Sequence, residues 1–154
     1  MATVATPPKA ADLAFELLKV HEGFRDHLYD DKTGLRIGRL PSGGWPTFGY
    51  GFNLAHWPAT EEECALILRS RIFTLISQIA ARQPLYSKLT PKRQAVLIDM
   101  AYQTGIDGLM NFRQMFRYIR LMDYSRASEE ILNSDSGRRF VSRYKTLAQW
   151  MLNG

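Results

Sequence analysis

From residue 11 onward apolar and polar positions recur with the period of a helix. In ADLAFELLKVH, Leu13, Leu17 and Leu18 stand three or four residues apart, with Ala14 and Val20 near them. That spacing predicts an amphipathic helix over 11–21. Gly23 follows, a natural stop because glycine takes the left-handed conformation that ends helices, so the helix closes near Glu22. Between 24 and 58 the pattern changes. Glycines, prolines and aromatics interleave, short runs such as LRIGRL and PTFGYGF alternate, and Pro41-Ser42-Gly43-Gly44 reads as a turn. Two or three short antiparallel strands with an enlarged hairpin loop are predicted there.

Helical periodicity then returns and holds to the end. Thr60-Glu61-Glu62-Glu63 has the form of a capping box and opens a helix carrying Leu66, Ile67, Phe73, Ile76 and Ile79 towards Arg82. Thr90-Pro91 is a second helix start, leading through Ala95, Val96, Ile98 and Met100 to a stop at Gly105. Further helices are predicted over 111–122, 125–133 and 138–152. The fold class expected is α+β: a small N-terminal lobe with a short antiparallel sheet, a long connecting helix and a helical C-terminal lobe. Residues 1–11 would be a flexible lead and 12–154 one domain, divided into 12–59, 60–82 and 83–154.

Composition narrows the class. The chain has 154 residues, 45 % of them hydrophobic and 23 % charged, which excludes a disordered tail or a fibrous repeat. Cys64 is the only cysteine, so no intrachain disulfide can form. No apolar run approaches the roughly 20 residues of a membrane span, and MATVATPPKAADLAF lacks the basic and apolar regions of a signal peptide. The expectation is a protein made in the cytoplasm without an export signal or anchor.

Charge is unevenly placed. Residues 1–86 carry 9 Lys+Arg against 9 Asp+Glu, and residues 87–154 carry 11 against 6. A basic half suits a polyanionic partner, such as an anionic cell envelope, and equally suits a solvated helical surface.

Three groups of residues could carry chemistry. Glu22, Asp26, Asp30 and Asp31 cluster where the first helix meets the strand region. A carboxyl at a helix C-terminus faces unpaired carbonyls, which disfavours its ionisation and suits a general acid. A second, better solvated carboxylate would complete the pair that glycoside hydrolysis needs. Surface acids at a junction give the same pattern. His21, His27 and His56 lack the i, i+4 spacing of a helical metal site, so no metal is expected. Phe112, Arg113, Phe116, Arg117, Tyr118 and Arg120, with Arg138, Arg139, Arg143, Tyr144 and Lys145 beyond, could bind nucleic acid by charge and stacking. The same spacing builds an amphipathic helix, and no nucleic-acid partner is expected.

VHEGFRDHLYDD followed by PTFGYGFNL resembles the phage-type lysozymes, the glycoside hydrolase family 24 endolysins of tailed bacteriophages. The matching positions are Glu22-Gly23, Tyr29, Asp31 and Thr47 in TFGYG, with LIDMAYQTG (97–105) and Phe112 downstream. The resemblance covers roughly residues 12 to 154. Two departures stand out. Fifteen residues separate Asp31 from Thr47, more than in many members, which implies a lengthened hairpin over 32–46. Thr33 is nearer but lacks the following G-x-G, and Phe52 stands where the family often has a histidine.

The resemblance implies a muramidase that cuts the β-1,4 bond between N-acetylmuramic acid and N-acetylglucosamine in peptidoglycan. Glu22 would protonate the leaving oxygen, Asp31 would activate or stabilise a water on the opposite face, and Thr47 would position that water. Tyr29, Gln103 and Phe112 would line the cleft, and Arg143 would contact the peptide stem. Inversion at the anomeric carbon and no cofactor are expected. So are a monomer and release through a separate holin. Other classes on the same fold are a wall-binding protein and a cationic protein that disrupts membranes.

Overall fold

A computed structural model describes residues 9–22, 47–48, 52–53 and 59–154. Its elements, in chain order, are α1 (Lys9–Glu22), β1 (Thr47–Phe48), β2 (Phe52–Asn53), α2 (Glu61–Arg82), a 3₁₀ helix (Pro84–Lys88), α3 (Pro91–Met110), α4 (Arg113–Arg120), α5 (Tyr124–Asn133), α6 (Asp135–Arg139) and α7 (Val141–Asn153). The chain forms two compact units. One comprises Met1–His21 with Arg69–Gly154, and the other comprises Glu22–Leu68.

The expected α+β class is corrected to a helical one. Among the described residues the only strand structure is β1 with β2, an antiparallel pair of two residues each, in the register Thr47↔Asn53 and Phe48↔Phe52. That pairing falls within PTFGYGF but is too small to form a sheet face. Among the described residues the long apolar runs go into helices instead. The LRIGRL strand and the 32–46 hairpin lie outside the described residues.

Each helix follows from its sequence. In α1, Ala10, Ala11, Ala14, Phe15, Leu17 and Leu18 are buried and form one stripe three to four residues apart, while Val20 is 80 % exposed. The helix begins at Lys9, two residues before the start that the spacing predicts. The capping box at Thr60 is formed: the Glu63 amide donates to Thr60 Oγ1 at 3.2 Å, and the Thr60 amide donates to Glu63 Oε2 at 2.8 Å.

Helix α2 changes one expectation about the membrane. It is the one helix among the described residues long and apolar enough to span a bilayer, with a mean hydropathy of 1.4 over its best window. Arg69 and Arg71 sit in its middle, where each would cost about 2.5–3.5 kcal/mol in lipid. Arg69 is occupied within the first unit. Its guanidinium pairs with Asp12 at 3.1 Å and stands 4.0 Å over the Phe15 ring, tying α2 to α1.

Helix α3 carries the longest buried run of the described residues. Residues Ala95 to Ala101 are buried without interruption, as in a helix surrounded by others. Thr90 caps it, accepting from the Arg93 amide, and Pro91 takes the first position, where its missing N–H costs nothing. At Gly105 the backbone leaves the helical region (φ 75, ψ 165), as the sequence predicts, and a short helical continuation reaches Met110. Helix α7 packs against α3, α5 and α6, and α4 packs against α5. Ile72 and Ile79 of α2, Met115, Phe116 and Ile119 of α4, Ile131 of α5, and Tyr144, Leu147, Ala148 and Met151 of α7 are all buried. The helix expected over 138–152 is two, because Phe140 (φ −118, ψ 58) breaks it between α6 and α7. Arg93 closes the end of α7. Its Nε donates to the Met151 carbonyl at 2.9 Å and its Nη2 to the Leu152 carbonyl at 3.1 Å, cationic donors at a helix C-terminus.

Candidate active site

The expected site residues divide between the two units. Glu22 closes α1 and is the first residue of the Glu22–Leu68 unit, and Thr47 opens β1 opposite Asn53 in that unit. Tyr29 and Asp31 lie outside the described residues. Gln103 and Phe112 lie on and just after α3 and Arg143 lies on α7, all in the larger unit.

Within that unit the structure joins two residues of interest through a third. Asp99, on the fully buried stretch of α3, is 0 % exposed. Its Oδ1 accepts from Arg143 Nε at 2.8 Å, and its Oδ2 lies 2.9 Å from His21 Nδ1. A carboxylate only accepts, so the Nδ1 of His21 carries the hydrogen of that bond. The His21 and Arg143 side chains are 10 % and 11 % exposed. Each oxygen of this buried carboxylate thus has a hydrogen-bond partner, one from α1 and one from α7. The cluster therefore holds α1, α3 and α7 together at the residue before Glu22.

Arg143 thus turns inward to α3. Gln103 lies one turn beyond Asp99 on the same face of α3. Its Oε1 is buried and has no hydrogen-bond partner among the described residues.

Phe112 lines a groove of about 650 Å³ on the larger unit. One wall comes from the end of α3 and the start of α4, with Thr104, Gly108, Asn111 and Gln114. The other comes from the α5–α6 junction, with Glu130, Asn133, Ser134, Asp135 and Ser136. Hydroxyls and carboxamides around one aromatic ring can hydrogen-bond and stack on a polar polymer such as a glycopeptide. The α5–α6 wall is built tightly. Ser134 caps α6 by accepting from the Gly137 amide at 2.9 Å, and Arg138 donates to the Asn133 carbonyl and the Asp135 carboxylate.

Asp99 is the residue that sequence reasoning missed. Its signal was a carboxylate inside the apolar run AVLIDMA, where a buried charge must find a partner. His21, weighed as a metal ligand, has Asp99 as its partner, and His27 and His56 lie outside the described residues. No group of three or more His, Cys, Asp or Glu among the described residues is placed to hold a metal ion.

Residues 19–143 match the family model described as phage lysozyme. A search of curated proteins returns no match. The family match begins within α1, ends at Arg143 and spans well over half of the chain. The chain therefore belongs to the phage lysozyme family, glycoside hydrolases that act on bacterial peptidoglycan.

Proposed function

We propose that this chain is an endolysin that hydrolyses the β-1,4 bond between N-acetylmuramic acid and N-acetylglucosamine and so lyses the host cell. The observation that carries the reading is the extent of the family match. Residues 19–143 enclose Glu22, Tyr29, Asp31, Thr47, Gln103, Phe112 and Arg143, every residue to which the resemblance assigns a role.

In this reading Glu22 is the general acid, a carboxyl at the end of α1 that delivers its proton to the departing glycosidic oxygen. Asp31 acts on a water at the opposite face of the sugar, held by the Thr47 hydroxyl. A water between the carboxyl groups requires about 6.5–9.5 Å of separation and gives inversion. Tyr29, Gln103 and Phe112 line the cleft, and the Phe112 groove takes the glycan or its peptide stem. The basic surplus after residue 87 attracts the anionic envelope, a contact weakened by salt. The protein would work as a monomer, made in the host cytoplasm and passed to the wall through a holin.

Two properties of the digest test the reaction. Borohydride reduction of purified peptidoglycan after digestion should place the new reducing ends on N-acetylmuramic acid. Proton NMR in the first minutes should show the α anomer appearing first. New ends on N-acetylglucosamine would contradict the bond assigned, and the β anomer appearing first would contradict inversion.

A further inference from the structure

We infer that the His21–Asp99–Arg143 cluster is a positioning device for the catalytic acid, with His21 fixing the last turn of α1 and so the helical backbone that carries Glu22. The inference rests on the reading of Glu22 as the acid.

Helix termini lack the hydrogen bonds that hold the interior, so a final turn frays unless its side chains anchor it. In α1 the apolar anchors stop at Leu18. Lys19 and Val20 are exposed, and of the residues from 19 to 21 only His21 is turned into the protein. Its anchor is directional. Nδ1 meets one oxygen of a carboxylate whose other oxygen is held at 2.8 Å by Arg143.

An apolar contact at this place would stabilise the fold as well or better, because burying charges is costly. What a bond to each oxygen of a carboxylate adds is a fixed distance and angle. A catalytic group displaced by about 1 Å can lose on the order of a hundredfold in rate. Three helices therefore hold the backbone one residue from the acid, and Arg143 bears on it through Asp99.

Two substitutions at His21 isolate the bond. His21→Asn keeps an amide donor close to the place of Nδ1, whereas His21→Leu keeps bulk and removes the donor. With soluble peptidoglycan fragments, His21→Leu should lower kcat about tenfold or more while KM stays within about twofold. His21→Asn should return kcat to within about threefold of the parent. Ile79→Ala, a core truncation elsewhere in the unit, serves as the stability control and should leave kcat unchanged well below its Tm. If His21→Leu does not fold, Asp99→Asn carries the test. It keeps the shape of the side chain but removes its charge and turns one accepting oxygen into a donor, and should lower kcat severalfold at constant KM.

A His21→Leu variant with kcat within threefold of the parent would overturn the inference. So would a His21→Asn variant as slow as His21→Leu, or a kcat loss shared by Ile79→Ala. In the fallback, Asp99→Asn with parental kcat would do the same. The underlying reading fails separately, through a Glu22→Gln variant that keeps its activity.

Discussion

Gly137 shows how much one missing methyl group can matter. A Cβ built there would run into the Leu132 carbonyl oxygen and lie 2.5 Å from that of Ile131. Both oxygens are backbone, so neither can swing aside. Only glycine lets α6 start this close to the end of α5, and that junction forms one wall of the Phe112 groove. Gly137→Ala should therefore destabilise by about 1–3 kcal/mol, the usual cost of overpacking. Thermal unfolding should show a Tm lowered by several degrees, and an unchanged Tm would contradict the geometry. At this scale the sequence is least informative. His21 and Asp99 stand 78 residues apart, and no local pattern pairs them. The lone carboxylate in AVLIDMA could announce that a partner exists, but not which one.

Elements are more legible, because their signals are local. The capping box at Thr60, Thr90-Pro91, the Gly105 break and the apolar stripe of α1 all depend on residues within one or two turns. The 3₁₀ helix at Pro84–Lys88 was not read, since five residues give no periodicity. Of the region read as strands, Thr47–Phe48 and Phe52–Asn53 lie among the described residues, and they pair as strands.

The 3₁₀ helix has a measurable consequence. It buries Tyr86, whose backbone carbonyl accepts from Gln94 Nε2 at 2.9 Å, and burial pushes its phenol up to about 12. Burial raises the Tyr144 phenol as well. A folded-state pKa above the unfolded value of about 10 means that unfolding releases a proton at alkaline pH. The contribution is fully present below about pH 10 and is lost as pH rises towards 12. Denaturant titrations from pH 8 to 12 should show stability falling above pH 10, with a shallower fall in Tyr86→Phe. Equal slopes in the two proteins would contradict the assignment to Tyr86.

At the scale of the whole molecule, family membership was legible from a few residues spread over Glu22, Asp31 and Thr47, with LIDMAYQTG downstream. The balance of helix and sheet was not. Buried runs decide that balance, and the long ones are helical. The basic surplus lies after residue 87, in the helical end of the chain, and can serve attraction to the envelope as well as solubility. A killing activity carried by these cationic helices alone would not need Glu22.

Release of reducing ends from purified peptidoglycan by the parent and by Glu22→Gln, side by side with killing of permeabilised cells, separates the two most directly. With Glu22 as the acid, the variant should lose about 100-fold or more in hydrolysis, the usual contribution of a positioned general acid, and should lose killing with it. A variant that matched the parent in hydrolysis, or that released nothing and still killed, would contradict the account.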